Sequence, residues 1–209
     1  MSDSKKKNSI PIPTLRRLPK YYNYLLNKKR QENKYISCTD IAEFTGFKKI
    51  QVRKDLQMAG AVGKPKIGYE IDILINTLEN FLGYNNITDA FLVGVGSMGT
   101  ALLKHESFKK HGVSIVAAFD SDENLIGTKV NDIHILDINN FENLSKRMNI
   151  KVGIVAVPEN KAQEICDLMV GVGFKGILNL CSTTLKAPSH VTVQNENIGI
   201  AMSILVSKL

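Results

Sequence analysis

The amino-acid sequence predicts an α/β protein in which an N-terminal winged helix-turn-helix domain is followed by a parallel-sheet domain and a C-terminal helix. Helical periodicity dominates the N-terminal part, whereas short apolar strands alternate with helices from about residue 88. The charge changes between the two parts: residues 1–70 hold 16 Lys and Arg against 6 Asp and Glu, and residues 71–209 hold 11 against 14. We therefore expect domains at residues 1–84, 85–195 and 196–209.

The composition is that of an ordinary globular protein, with 44% hydrophobic and 22% charged residues. No stretch approaches the roughly 18 apolar residues of a membrane span, and the basic first residues are not followed by the apolar segment of a secretion signal. Cys38, Cys166 and Cys181 lack metal-ligand spacing, as do the four histidines. We expect a cytoplasmic protein with reduced thiols, no metal site and no membrane association.

The basic N-terminal region contains the pattern of a helix-turn-helix. Apolar residues recur at helical spacing over residues 14–30 and predict the first helix. Thr39 is the expected N-cap of a short helix, Gly46 supplies a tight turn, and residues 48–58 form the recognition helix. The segment GAVGKPKIGYEI then predicts a short strand, a turn at residues 64–66 and a returning strand, which together form a wing.

Charge on this region predicts its partner. Phosphate polyanions usually bind such a basic region, although a basic surface that serves only solubility is the alternative. Lys49, Arg53 and Lys54 lie on the recognition helix, where they can contact phosphates and base edges. Asp55 is expected to orient an arginine or to cap a neighbour rather than to face DNA. The next helix, predicted over residues 71–83, joins this domain to the second one.

The second domain begins with a strand that runs into the glycine-rich loop Gly94-x-Gly96-x-x-Gly99, with a helix from about Met98. This arrangement predicts a Rossmann-type domain that binds NAD(H): the glycines make the turn, let the backbone approach a pyrophosphate and allow helix-on-strand packing. Asp120 ends the next strand, 21 positions after the last glycine. A carboxylate at that position accepts hydrogen bonds from the ribose hydroxyls and disfavours the additional phosphate of NADP(H). The alternative is an ordinary glycine turn with a surface aspartate.

Catalytic chemistry has little support in the rest of the chain. The segment GIVAVPENKAQEI repeats the strand-loop-helix layout, with Pro158 in the first turn of its helix. After Leu180 the chain is too short for a substrate domain and offers only Lys186 and His190 as proton donors. We therefore expect no enzyme, although a small NAD-dependent oxidoreductase with an accessory basic domain remains the competing class. A DNA-binding protein that keeps the nucleotide as a structural prop is a third possibility.

The C-terminal segment predicts a helix with an apolar stripe, formed by Ile200, Ile204 and Leu205, that no later strand can cover. The chain resembles the Rex family of redox-sensing transcriptional repressors through QVRKDL on the recognition helix, GxGxxG followed by AAFD, and GILNL. The likeness runs from about residue 10 to the end. Members of this family are homodimers that bind operator DNA with NAD or at low NADH and release it with NADH.

The resemblance implies NAD(H) as cofactor, palindromic operator DNA as partner, and a C-terminal helix from about residue 196 that is exchanged across the dimer. It also implies site residues. Gln51, Arg53 and Lys54 lie where the family's recognition helix meets the major groove, and the wing carries Lys64 and Lys66. The dinucleotide residues are Gly94, Val95, Gly96, Ser97, Met98 and Gly99 in the pyrophosphate loop, Asp120 at the ribose, and Pro158 and Asn179 on the nicotinamide side.

This sequence departs from the family pattern at several positions. Ser97-Met98 replaces the usual asparagine-leucine pair, His105 stands where a tyrosine is common, and Asn197 stands where the family carries an aspartate. That aspartate belongs to the polar network that couples the nicotinamide to DNA binding. An asparagine keeps hydrogen bonding but removes the charge. A Rex-like DNA-binding protein without a redox response is therefore a further alternative.

Overall fold

The computed structural model describes residues 10–105 and 107–209. The chain forms two compact units, one that ends at Asn85 and one that begins at Asn86. Within the described residues, no helix is both long enough and apolar enough to cross a lipid bilayer. The same residues contain no cluster of His, Cys, Asp and Glu side chains that could hold a metal ion.

Within the described residues, the first unit is built from four helices around one apolar core. Burial of one face of each helix explains the helical periodicity, since Leu18, Ile41, Leu56 and Leu78 are each 0% exposed. The helices are α1 (Ile12–Arg30), α2 (Cys38–Thr45), α3 (Lys49–Met58) and α4 (Ile71–Leu82).

Helix α2 begins two residues earlier than expected. Ser37, and not Thr39, is the N-cap: its hydroxyl accepts hydrogen bonds from the N–H groups of Thr39 and Asp40 at 3.1 and 3.2 Å. The Asp40 carboxylate accepts in return from the Ser37 N–H at 2.8 Å, which completes a capping box. The predicted cap was wrong because Ser37 and Asp40 have the capping-box spacing and together satisfy more free N–H groups than Thr39 would alone.

The wing differs from the expected hairpin. Strand β1 (Tyr35–Ile36) pairs antiparallel with β2 (Tyr69–Glu70), and a single bridge between Lys64 and Gly68 closes the turn. The strand predicted before the turn does not form, and residues 61–63 have no regular secondary structure. Gly68 has a φ of 102°, and a Cβ there would overlap the Ile36 carbonyl oxygen, so only glycine lets the returning wing lie against β1.

In the part of the second unit that the structure describes, seven strands form one sheet with the order β5-β6-β4-β3-β7-β8-β9. All neighbouring strands are parallel except β5 and β6, which form an antiparallel edge. The chain order reverses between β3 and β7, which makes their carboxyl ends the topological switch point of the sheet. The strands are β3 (Thr88–Val93), β4 (Val113–Asp120), β5 (Lys129–Val130), β6 (Ile133–Asp137), β7 (Val152–Val155), β8 (Gly176–Asn179) and β9 (Thr192–Asn195).

Apolar clusters on both sides of this sheet explain its strongly apolar strands. One cluster contains four aromatic rings, with the centroids of Phe91 and Phe119 separated by 5.0 Å. The other contains Leu92 and Ile154, both almost fully buried. The helices of this unit are α5 (Ser97–Leu103), α6 (Ser107–Lys110), α7 (Phe141–Met148), α8 (Glu159–Gly171) and α9 (Ile198–Val206).

Helix α9 is apolar on every side and exposed along its whole length. The expected stripe is therefore part of a larger apolar surface. Its bulky side chains are each more than half exposed, and Ile200 is 60% exposed. A helix that is apolar all round is normally buried, so α9 presents the kind of surface that another polypeptide covers.

Candidate nucleotide site and nucleic-acid interface

The glycine loop leaves β3 at the centre of the sheet. Gly94 has a φ of 96°, and a Cβ there would overlap the carbonyl oxygen of Ala156, directly after β7. On the other side, the Gly94 N–H donates to the carbonyl oxygen of Phe119 in β4 at 2.8 Å. Only glycine therefore allows the chain to pass between the ends of the two neighbouring strands.

The remaining glycines of the loop have contrasting surroundings. A Cβ on Gly99 would overlap the Gly94 carbonyl oxygen, so α5 packs directly on the turn. By contrast, no heavy atom of the described chain lies within 4 Å of a Cβ built on Gly96. Residues 96–98 are exposed, whereas Gly94, Val95 and Gly99 are buried. The loop is thus anchored at both ends and leaves its middle accessible to a ligand.

Asp120 lies beside this loop at the end of β4. Its Oδ2 accepts a hydrogen bond from the Val95 N–H at 2.6 Å. Its Oδ1 accepts from the N–H groups of Ser121 and Asp122 at 2.7 and 3.0 Å. A carboxylate has about four acceptor positions, so these three bonds leave capacity for a further donor. The predicted ribose anchor is therefore fixed against the pyrophosphate loop before any ligand is bound.

The two nicotinamide-side residues have different surroundings. Pro158 is exposed and is the N-cap of α8, one residue before the predicted position. Asn179 is 0% exposed at the end of β8, and its Nδ2 donates to the Thr183 carbonyl and to Oδ1 of Asn195 at 2.6 and 2.8 Å. Its Oδ1 accepts from the Cys181 N–H at 3.0 Å. The Asn179 side chain therefore shapes the loop after β8.

Asn197 connects the same loop to the C-terminal helix. Its Oδ1 accepts from the Ile200 N–H at 3.1 Å and so caps α9. Its Nδ2 donates to the Ser182 carbonyl oxygen at 3.3 Å. An aspartate could make the first bond but not the second, because a carboxylate has no N–H donor.

On the first unit, α3 turns most of its predicted DNA-binding residues outward. Lys49, Arg53 and Lys54 are exposed, whereas Gln51 is half-buried at the flank of the helix. The buried side of α3 consists of Val52, Asp55 and Leu56.

Asp55 holds α3 against α1 through a buried polar cluster. It is 2% exposed and accepts hydrogen bonds from Arg17 Nε at 2.7 Å, Arg17 Nη2 at 2.8 Å, Tyr21 OH at 2.8 Å and Thr14 Oγ1 at 3.0 Å. Burial raises the pKa of Asp55, but hydrogen bonds from Arg17, Tyr21 and Thr14 outweigh burial, and the pKa is lowered. The expectation that Asp55 orients an arginine is confirmed.

The wing and α3 enclose a cleft of about 700 Å³. Lys66 is exposed at the wing tip, with a φ of 63°. The ammonium group of Lys64 lies 3.7 Å from the Glu70 carboxylate and 5.7 Å from the ring centre of Tyr35, so it is partly engaged within the wing. The cleft is lined by Ser37, Cys38, Lys49, Arg53, Gln57, Ala61, Val62, Gly63, Lys64, Pro65, Lys66, Ile67, Gly68 and Tyr69.

Gln57 is a cleft residue that sequence reasoning missed. It is exposed and lies four and eight residues after Arg53 and Lys49, so the three side chains form one stripe along α3. This helical spacing was available in the sequence, but a charge pattern gives no reason to select an uncharged residue. The amide of Gln57 adds a group that can both donate and accept to a cleft otherwise rich in cations.

Comparisons with known proteins cover both units. The family model "CoA binding domain" matches residues 85–183, and "Putative DNA-binding protein N-terminus" matches residues 9–57. A redox-sensing transcriptional repressor Rex of Treponema denticola is 39% identical over 200 residues, which span 95% of this chain and 95% of the relative. Among solved structures, the crystal structure of RSP in complex with β-NAD⁺ and operator DNA is 30% identical to this chain. The two superpose with a TM-score of 0.90, over 95% of this chain and 92% of RSP. RSP in complex with β-NADH gives 29% identity and a TM-score of 0.87, over 96% and 94%.

The fold and the two sites define a winged helix-turn-helix protein with a Rossmann-type second unit. The sheet order, the glycine loop at the switch point and the carboxylate beside it have the arrangement of dinucleotide-binding domains. With 39% identity to a relative over nearly its whole length, the chain belongs to the Rex family of redox-sensing transcriptional repressors. The family resemblance and the fold class expected from the sequence are confirmed.

Proposed function

We propose that this protein is a homodimeric transcriptional repressor that senses the NADH/NAD ratio. It binds palindromic operator DNA with NAD or at low NADH, and it releases the DNA with NADH. The observation that carries the proposal is the match of both units to RSP, which was solved with β-NAD⁺ and operator DNA and also with β-NADH. Because its relatives are named repressors, the protein is a regulator and not an enzyme.

The proposed DNA contacts come from two elements of the segment 1–84. Helix α3 enters the major groove with its N-terminal end, where side chains face base edges and phosphates. The tip of the wing contacts phosphates beside it. In this proposal Lys66 makes a stronger contact than Lys64, whose charge is partly compensated by Glu70. The contacting residues are Lys49, Gln51, Arg53, Lys54, Lys64 and Lys66.

The segment 85–195 is the proposed NAD(H) domain, and its residues fit the dinucleotide. The exposed loop of residues 96–98 offers backbone N–H groups to the pyrophosphate, and the open space at Gly96 allows close approach. Asp120 keeps an acceptor position for a hydrogen bond from an adenosine ribose hydroxyl. The negative charges of Asp120, Asp122 and Glu123 oppose the additional phosphate of NADP(H). The full set is Gly94, Val95, Gly96, Ser97, Met98, Gly99 and Asp120, with Pro158 and Asn179 on the nicotinamide side.

Residues 196–209 form the proposed dimer-exchange segment. The exposed apolar surface of α9 supports this assignment, because a second copy of the chain would remove it from water. We place the protein in the cytoplasm, where operator DNA and the NAD(H) pool are both present.

Titration of a labelled palindromic operator with the full-length protein tests the proposal. The measurement is repeated with NAD, with NADH and without nucleotide at one salt concentration, since salt alone changes DNA affinity steeply. We expect tight binding with NAD and weaker binding with NADH, whereas NADPH at the same concentration leaves binding unchanged. Equal operator affinity with NAD, with NADH and without nucleotide would disprove redox sensing and leave DNA binding intact. A nucleotide that binds two conformations equally well does not shift the equilibrium between them.

Asn197 favours one second candidate, a Rex-like repressor with little redox response. Its amide donates to Ser182, so the start of α9 is tied to the loop after β8 by a neutral bond and not by a charge. The substitution Asn197→Asp keeps the cap on α9 and introduces the charge. If the second candidate is correct, the ratio of operator affinities in NAD and NADH is close to one in the wild type and larger in Asn197→Asp.

A further inference from the structure

We propose that Ile50 contacts the C5-methyl group of a thymine in each half of the operator and thereby contributes to the choice of DNA sequence. This inference rests on the proposed DNA binding. It concerns an uncharged residue of the recognition helix α3 that lies between the predicted contacts Lys49 and Gln51.

The direction of the Ile50 side chain is the first support. Ile50 is 58% exposed in the first turn of α3, although isoleucine is among the residues most often fully buried. With about 100° of rotation per residue, Ile50 lies opposite the side of the helix that carries Val52 and Leu56, both 0% exposed. It therefore occupies the middle of the outward face, one turn before Lys54.

The surroundings of Ile50 are the second support. Single exposed apolar side chains are common on protein surfaces, so exposure alone would carry no conclusion. Here, however, the neighbours on the outward face are the exposed cations Lys49, Arg53 and Lys54. Cations draw this face toward phosphates, and the N-terminal residues of a recognition helix are those that meet base edges. Ile50 is thus in the turn where an apolar group can reach a base.

The chemistry of the major groove selects the contact. Base edges there present hydrogen-bond donors and acceptors, and the C5-methyl of thymine is the one apolar group among them. The isoleucine side chain has no polar atom. Among the groups on the base edges, it can therefore make a favourable apolar contact with that methyl group alone. The other exposed apolar residue of α3, Met58, lies at the C-terminal end of the helix, so the two do not form one continuous patch for a protein partner.

The test compares thymine with deoxyuridine, which differs only by the absence of the methyl group. A palindromic operator is first selected from a random DNA library by the full-length protein in NAD. Each thymine of one half-site is then replaced in turn, and Kd is measured for the wild type and for Ile50→Ser. Because a buried methyl group contributes about 0.8 kcal/mol, we expect one replacement to weaken wild-type binding about fourfold, and about fifteenfold when both half-sites are changed. Ile50→Ser should bind the operator with thymine and the operator with deoxyuridine with the same Kd.

Met58→Ala is the matched control, since it removes an exposed apolar side chain from the same helix and should keep the sensitivity to deoxyuridine. Ile50→Ser should unfold at the wild-type temperature, because Ile50 lies outside the core and serine is tolerated in a first helical turn. If a site is selected but no thymine is sensitive, or if Ile50→Ser keeps the sensitivity, the inference is wrong and the proposed function stands. Failure to select any DNA sequence would overturn both.

Discussion

The buried cluster around Asp55 gives a quantitative prediction for the substitution Asp55→Asn. The change keeps the size of the side chain and removes the charge that four hydrogen bonds from Arg17, Tyr21 and Thr14 stabilise. Removing one partner of a buried ion pair costs about 3 to 5 kcal/mol. We expect the lower end, about 3 kcal/mol, because the Arg17 side chain is 14% exposed and can regain some hydration.

The chain offers a selective assay for this loss. It contains no tryptophan, and all six tyrosines lie at or before Tyr84, so tyrosine fluorescence reports unfolding of the first unit. A loss of about 3 kcal/mol in a unit of this size lowers Tm by about 12 to 24 °C. The matched control is Asp72→Asn, which breaks an ion pair with Lys29 whose side chains are 57% and 63% exposed. We expect the control to cost less than about 1 kcal/mol.

The stability should also depend on pH in a defined direction. Because the folded-state pKa of Asp55 is lowered, its contribution is complete above the unfolded-state value of about 3.9 and disappears as pH falls through the folded-state pKa. The difference between the wild type and Asp55→Asn should thus be constant between about pH 5 and 7 and shrink below about pH 4. An Asp55→Asn protein as stable at pH 7 as Asp72→Asn would refute the role assigned to the cluster.

Three further substitutions test the other features. Gly99→Ala forces a Cβ against the Gly94 carbonyl, and we expect a loss of about 1 to 3 kcal/mol in thermal unfolding together with loss of NADH binding in a fluorescence titration. Lys66→Ala removes an exposed wing cation. The slope of the logarithm of operator affinity against the logarithm of salt concentration should therefore become less steep by about one for each phosphate that the wing no longer neutralises. Ile204→Glu places a charge on α9 and should convert the dimer to monomer in sedimentation, because the proposed exchange buries this surface.

Each of these changes has a control elsewhere in the chain. Gly96→Ala has space for its Cβ and should leave thermal stability unchanged while it obstructs the dinucleotide. Lys146→Ala removes a cation of α7 that pairs with Glu142, and it should leave the salt dependence as in the wild type. Lys208→Glu places the same carboxylate side chain beyond the end of α9. Equal effects of a variant and its control on thermal stability for the glycine pair, on salt dependence for the lysine pair, or on the dimer for the α9 pair would contradict the explanation given for that pair.

The sequence predicted the order of the large elements because their patterns are local. The apolar runs of β3 and β4 and the helical spacing in α1 and α4 follow from burial on one or two faces, and the structure confirms them. The glycine loop was recognised for the same reason, since a strand, three glycines and a helix occur within one short segment. The two-residue strands β1 and β2 carry no periodicity, so their pairing could not be predicted.

The details that could not be predicted depend on contacts that form only in the folded protein. Asn179 was expected on the nicotinamide side, but its full burial depends on Thr183 and Asn195, which only the folded loop brings to it. Asp55 could be predicted to orient an arginine, whereas the selection of Arg17, 38 residues earlier, required the packing of α1 on α3. The sequence did not predict that α9 is exposed and apolar on all sides, because an apolar stripe and a wholly apolar helix differ by only a few residues.

The bond between Asp120 and the Val95 N–H has a consequence for how cofactor preference could evolve. The carboxylate that would select against NADP(H) is the same group that fixes the glycine loop. Replacing it with a residue that cannot accept this hydrogen bond would lower the electrostatic barrier and would also release the loop, so the new cofactor would have to order the loop at the expense of its own affinity. A lineage that changes to NADP(H) through such a residue therefore needs at least two coordinated substitutions, and single replacements of this kind should produce weak binders of both nucleotides.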